Sequence, residues 1–236
     1  MKKYIMVRDD LRAKILNKIF TDKLPSETQL TEMYGVGRST IRRAIDLLTS
    51  EGYVISQQGK GVYVLEQVSF GFDLGGIESF REVNMRTGQD FKTEVIIFEK
   101  KLMGEADEKL TLFKADIVVR YIERIRKLNG ERIIYDINYF RYDLVKDLSR
   151  GQAEKSIYEY IEVEKKMIIA LSRRTIAIEK ATKQDCLVLD MLGYDVVAVM
   201  HNHVYLEDGT LLEYTQSRHR PDKFVFTDVS RRKLHI

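Results

Sequence analysis

The segment GRSTIRRAIDLL, residues 37–48, crowds hydrogen-bond donors beside an apolar stripe. Ile41, Ala44, Ile45 and Leu48 recur at helical spacing and leave Arg38, Ser39, Thr40, Arg42 and Arg43 outside the stripe. Such a helix is either an ordinary solvated face or one made to lie against phosphates and base edges. Guanidinium groups at the start of a helix can bond phosphate, or pair with the O6 and N7 atoms of guanine. Downstream, Gly59-Lys60-Gly61 adds a charge between two glycines that would let backbone approach a duplex closely.

A second set of chemistry-bearing residues lies far from the first. Arg124 and Arg126 alternate along a strand, so both point to one face. Two converging guanidinium groups suit a phosphate; a charged outer sheet face is the plainer alternative. Asp136 sits among apolar residues in IIYDINYF, and its carboxylate could hold sugar hydroxyls. Ser79, with Phe80 beside it, and Ser156 each stand where a helix begins, as phosphate contacts or plain caps. Tyr158 could lie against a sugar ring. Glu213, Ser217 and Arg220, from a late hairpin, would close such a pocket.

These residues need elements to carry them. Ile5, Leu11, Ile15, Leu16 and Ile19 predict a first helix over 4–20. Pro25 stops what precedes it, and Ser26 caps a short second helix ending near Tyr34-Gly35. A tight turn, the arginine helix, closed by Gly52, and the hairpin YVISQQGKGVYVL follow. Helix, helix, turn, helix and hairpin within 65 residues outline a winged helix-turn-helix.

Residues 66–76 lack a period and read as a linker. Residues 77–236 then mix strands with a few helices. ESFREVNMRTG predicts a helix; two strands meet at Asn129-Gly130; SIYEYIEVE predicts a short helix; TKQDCLVLDML predicts one capped by Thr182. A hairpin turns at Asp208-Gly209, and KFVFTDVS predicts a last strand. The fold class is α+β: a head over 1–65, a linker over 66–76, and a mostly antiparallel sheet with helices over 77–236.

Charge is divided in the same way. Residues 1–65 hold eleven Lys and Arg against seven Asp and Glu; the remainder holds 28 against 29. A basic front on a neutral body fits a nucleic-acid contact at one end. No apolar run has the length of a membrane span, and the start is charged throughout, so a cytoplasmic protein is expected. The single cysteine, Cys186, excludes an internal disulfide framework. His201 and His203 share one side of a strand, a geometry zinc can use with His219, though a satisfied strand histidine accounts for each. No nucleophile–base pair or phosphate loop is present. Neither an enzyme nor a cofactor or metal is expected.

LPSETQLTEMYGVGRSTIRRAIDLLTSEGYVISQQGKGVYV resembles the DNA-binding domain of the GntR family of bacterial transcription regulators. The family usually has serine where Gly37 stands, so one hydroxyl contact is lost. The resemblance implies DNA contacts from Arg38, Thr40, Arg42, the wing glycine and Ser26-Glu27. ESFRE, RIRKLNGERIIYDINYF, SIYEYIE and EYTQSRHRPDKFVF are similar to the UTRA effector domain of the HutC branch, whose fold resembles chorismate lyase. That likeness implies an effector's acidic group on Arg124, Arg126 and Ser156, a homodimer, and double-stranded operator DNA as partner. SIYEYIE, LGYD and SRHRPDKF resemble the trehalose-operon repressors of the branch, which implies trehalose 6-phosphate as effector.

Overall fold

The computed structural model describes residues 2–65 and 90–226. These fall into two compact units, one on each side of the gap. The proposed linker 66–76, the helix expected over 78–88, and Ser79 and Phe80 lie outside the described residues.

The first unit packs α1 (Lys3–Leu16), α2 (Glu27–Tyr34) and α3 (Arg38–Ser50) with a hairpin of β1 (Val54–Gln57) and β2 (Gly61–Val64). Its core is Val7, Leu11, Ile15, Leu24, Leu30, Ile41, Ala44, Ile45, Leu48 and Val54. The buried stripe of α1 is therefore Val7, Leu11 and Ile15, a strict four-residue spacing. Leu16 and Ile19, expected to be buried, are exposed because α1 ends at Leu16 and Ile19 lies beyond it. Ser26 and Gln29 form a reciprocal capping box at the start of α2. Gly35 takes φ +60° at its end, the left-handed conformation that glycine adopts without strain.

The second unit is one six-stranded antiparallel sheet in the order β3-β4-β5-β8-β7-β6. Its strands are β3 (Phe91–Leu102), β4 (Val118–Leu128), β5 (Glu131–Arg141), β6 (Ile169–Lys180), β7 (Val196–Leu206) and β8 (Leu211–His219). The β4–β5 turn has Asn129 at φ +50° and Gly130 at φ +89°, the backbone of a tight primed turn. Among the described residues four helices accompany the strands: α4 (Glu105–Thr111), α5 (Arg150–Lys155), α6 (Ile157–Glu159) and α7 (Lys183–Val188). A π-helical turn, Tyr160–Glu164, continues α6. Ala153, Ile157, Tyr160 and Ile161 pack with Val95, Ile122, Phe140 and Val204, so α5 and α6 cover one sheet face. Val188 and Leu189 pack with Ile125, Tyr135 and Val199 on the other.

Two helices, α4 and α5, were not expected from the sequence. The strand expected over KFVFTDVS is absent from its described part: Pro221–Lys223 form a single 3-10 turn, and residues 224–226 are irregular. Pro221 supplies no amide to a ladder. Among the described residues no helix is long and apolar enough to cross a membrane.

Candidate functional site

In the first unit, α3 presents Arg38, Ser39, Arg42 and Arg43 to solvent, with Thr40 half-buried. Gly37 occupies the N-cap of α3 with no side-chain cap bond. A cleft of about 860 Å3 runs between the start of α2, the middle of α3 and the wing. Ser26, Glu27, Arg42, Gly59, Lys60 and Gly61 all line it, together with Lys23, Gln57 and Gln58. Arg42 donates its Nε to both Glu27 carboxylate oxygens at 3.0 Å, which fixes its guanidinium over the cleft. Arg43 behaves differently: its guanidinium lies 4.1 Å from the centre of the Tyr4 ring, a cation–π contact that ties it to α1. Gly61 has φ +112°, a backbone conformation that favours glycine in the wing's turn whatever the Lys23 side chain beside it does.

In the second unit, same-face positions of four neighbouring strands meet in rows. One row runs Arg124, Asp136, Ser217, Met200; the next runs Ile122, Asn138, Thr215, Asn202. Arg126 and Glu213 stand one row beyond on either side. Lys155, Ser156, Ile157 and Tyr158 roof these rows and close a cavity of about 100 Å3.

The cavity is lined mostly by buried charged and polar side chains. Arg124, Arg126, Asp136, Asn138, Ser156, Glu213 and Ser217 are all buried. Arg126 donates to Asp136 at 2.9 Å and to the Thr93 hydroxyl. Ser217 donates to the other Asp136 oxygen at 2.6 Å. Burial pushes the Asp136 carboxyl up, but the charges of Arg126 and Arg124 outweigh it and hold it below the ordinary aspartate value. Arg124 donates to the Asn138 amide oxygen at 3.0 Å and to the Ala153 carbonyl at 3.4 Å. Burial, then the charge of Arg126, pull its pKa down to about 10, so it remains a cation at neutral pH. Tyr158 donates its hydroxyl to Glu213 at 2.9 Å. Burial lifts the Glu213 carboxyl above the ordinary glutamate value, against bonds from Thr215, Tyr158 and Asn138. Two guanidinium groups, two carboxylates, hydroxyls and an aromatic ring thus converge on one small space. Guanidinium groups can bond an anion, and carboxylates and hydroxyls can bond hydroxyl groups.

The UTRA domain model matches residues 86–225, and the model of bacterial regulatory proteins of the gntR family matches residues 3–64. The HTH-type transcriptional regulator TreR of Bacillus subtilis (strain 168) is 40% identical over 209 residues, covering 89% of this chain and 88% of that protein. The chain belongs to the gntR family of bacterial regulatory proteins. As a gntR regulator with a UTRA domain, it pairs a DNA-binding head with a small-molecule effector domain. It is also 27% identical to the mannosyl-D-glycerate transport/metabolism system repressor MngR of Escherichia coli (strain K12), covering 98% of this chain and 96% of that protein. Among solved structures, the effector-binding domain of the B. subtilis trehalose repressor (TreR) is 40% identical, with a TM-score of 0.56 over 61% of this chain and 99% of that one. The possible transcriptional regulator YydK from B. subtilis, at 18% identity, shares the fold with a TM-score of 0.82 over 98% of this chain and all of that one.

The gntR fold brings Ser26, Glu27, Arg42 and the wing together, and gathers seven expected effector residues: Arg124, Arg126, Asp136, Ser156, Tyr158, Glu213 and Ser217. Arg220 is the correction. It does not line the cavity; its fully buried guanidinium is held by Asp222, Glu131 and the Asp190 carbonyl. Arg220 stands three residues after Ser217, so the alternation that carries Glu213 and Ser217 inward turns it, like Arg218, to the other face of the sheet. Asp136 is likewise bonded to Arg126 rather than open to sugar hydroxyls. Asn138, Lys155, Asn202 and Thr215 line the cavity without having been singled out; Asn138 and Thr215 stand two residues from Asp136 and from Glu213 and Ser217, so strand parity alone would have found them.

The histidines serve other ends. His201 Nδ1 lies 2.7 Å from the Tyr214 hydroxyl, and His203 Nε2 lies 3.0 Å from the Leu110 carbonyl. His219 faces the opposite side of the sheet, since its partner on β7 is Ala198. Among the described residues no group of three or more His, Cys, Asp or Glu could hold a metal ion.

Proposed function

We propose that this chain is a transcriptional repressor that binds a palindromic operator as a homodimer and releases it when a phosphorylated sugar, trehalose 6-phosphate, enters the effector cavity. The observation that carries this reading is the pair of buried arginines facing Glu213, Tyr158 and Asp136, in a domain 40% identical to the effector-binding domain of a trehalose repressor. Arg124, Arg126 and Ser156 take the phosphate; Glu213, Tyr158 and Ser217 take hydroxyls. In the head, Arg38, Ser39, Thr40 and Arg42 enter the major groove, while Ser26, Glu27 and the wing hold the backbone. Residues 1–65 form the head, 66–76 the linker that transmits the effector's preference, and 77–236 the effector and dimerisation domain, all in the cytoplasm. The effector acts only by binding more tightly to the arrangement that misfits the operator. Regulation, not catalysis, is the role.

A second reading rests on size. A cavity of about 100 Å3 is smaller than the roughly 300 Å3 at which ligand pockets begin. A disaccharide phosphate enters only if Tyr158 and its segment move off Glu213, whereas a phosphorylated monosaccharide needs less displacement. Calorimetry on the full chain with trehalose 6-phosphate, glucose 6-phosphate and trehalose separates the two. Tight binding of the first alone supports the trehalose reading; preference for glucose 6-phosphate supports the smaller ligand; equal binding of unphosphorylated trehalose contradicts both.

A further inference from the structure

The two arginines of the cavity are held in different ways. Arg126 bonds a carboxylate, Asp136, at 2.9 Å. Arg124 makes its hydrogen bonds to neutral oxygens only, those of Asn138 and Ala153, and comes no closer than 3.8 Å to Asp136. Asn138 is 1% exposed. Its amide orientation follows from its neighbours, because the oxygen must face the Arg124 donor and the nitrogen must face acceptors. That nitrogen donates to Glu213 at 3.2 Å and to the Thr215 hydroxyl at 2.7 Å. One neutral side chain therefore satisfies a buried cation at one end and a buried carboxylate at the other without adding charge.

We infer that Asn138 is the residue that sets the cavity's preference for anions: its neutral amide, where an isosteric carboxylate would fit, leaves Arg124 without a hydrogen-bonded counter-charge and so available to an incoming phosphate. An aspartate there would bond Arg124 directly. Each arginine would then hold its own carboxylate, and a third buried negative charge would face the ligand beside Glu213. With Arg124, Asp136, Asn138 and Glu213 all buried, charge at hydrogen-bond range outweighs small differences in shape. This role deepens the phosphorylated-sugar reading and rests on it for the identity of the ligand, but it concerns any phosphate-bearing anion.

The test is calorimetry on the full chain in phosphate-free buffer, with inorganic phosphate and trehalose 6-phosphate titrated separately into the parent, Asn138→Asp and Asn138→Ser. Thermal melts establish that each variant folds. The expected result is at least tenfold weaker binding of both anions by N138D and no more than about threefold weakening by N138S, which keeps residue 138 neutral. Parent-like phosphate binding by N138D overturns the inference. So does an equal loss in N138S, which would make the network's shape, not its charge, the cause. If N138D does not fold, N138S decides: retained binding supports the inference, and a tenfold loss overturns it. If the parent binds inorganic phosphate but not trehalose 6-phosphate, and N138D loses it, the sugar falls and the role of Asn138 stands. Binding of neither anion by the parent ends both.

Discussion

Arg126 and Asp136 form an ion pair of 2.9 Å inside the effector domain, with both side chains buried. Removing one member of such a pair leaves the other charge stranded, at a cost of about 3–5 kcal/mol. Arg126→Ala is therefore expected to lose phosphate binding and also to lower the melting temperature of the effector domain. Arg126→Met combined with Asp136→Asn removes both charges and should recover most of the stability while binding stays lost. Calorimetric melting and titration of the two variants check this. Equal instability in both would mean that packing, not charge, holds the site.

Arg220 separates folding from binding. Its fully buried guanidinium serves Glu131, Asp222 and the Asp190 carbonyl, away from the cavity. Arg220→Met should lower stability by about 1–3 kcal/mol, through the lost bonds to Glu131 and Asp222 and the Asp190 carbonyl left without its donor. Its affinity for trehalose 6-phosphate should stay within a few-fold of the parent's at a temperature where the variant is folded. A selective loss of affinity would place Arg220 in the pocket after all.

His219 gives the fold an acid limit. It is 1% exposed, and neither ring nitrogen has a hydrogen-bond partner among the described residues. Burial lowers its pKa from 6.5 to about 4. The folded chain thus binds fewer protons than the unfolded chain between those values, so the contribution is present above pH 6.5 and is lost as pH falls towards 4. The full effect is on the order of 3 kcal/mol. Asp136 and Asp185, both held below the ordinary value of 3.8, add a further loss only below that value. His219→Phe should flatten the melting-temperature profile between pH 6.5 and 4.5. An unchanged profile would show that another group titrates there.

In the head, Arg42 and Lys60 line the same cleft but should fail differently. Lys60→Ala is expected to weaken all sequences alike and to reduce the salt slope of binding by about one. Arg42→Ala should cost about 1–3 kcal/mol on the operator and much less on unrelated DNA. Anisotropy titrations across a salt series measure both. An identical salt signature for the two would mean that Arg42 binds phosphate rather than a base.

Much of this was legible in the residues. The Ser26 cap, the stripe Ile41-Ala44-Ile45-Leu48 and the turn at Asn129-Gly130 are local signals, and each lies where expected. Strand alternation carried Arg124 and Arg126 to one face, though not the pairing that gives Asp136 to Arg126 and leaves Asn138 to Arg124. Those partners lie 10 and 14 residues apart on β4 and β5, and Glu213 reaches Asn138 across 75. Only the strand order β4-β5-β8-β7 makes them neighbours. α4 and α5 are too short to show a period and α4 begins at a glycine cap, whereas the Ser149–Gln152 capping box of α5 was a legible start signal. Arg220 was misplaced against strand parity: it lies three residues from Ser217, so alternation already sends it to the other face.

The central claim is that a phosphorylated sugar in the effector cavity releases DNA from the head. Fluorescence anisotropy of a labelled fragment of the protein's own promoter, with trehalose 6-phosphate titrated in at fixed salt, measures this directly. The account predicts saturable release by trehalose 6-phosphate, with much weaker effects of glucose 6-phosphate and trehalose, and no release from the Arg126→Met, Asp136→Asn double variant. Tight operator binding that trehalose 6-phosphate leaves unchanged at saturating concentration would contradict it.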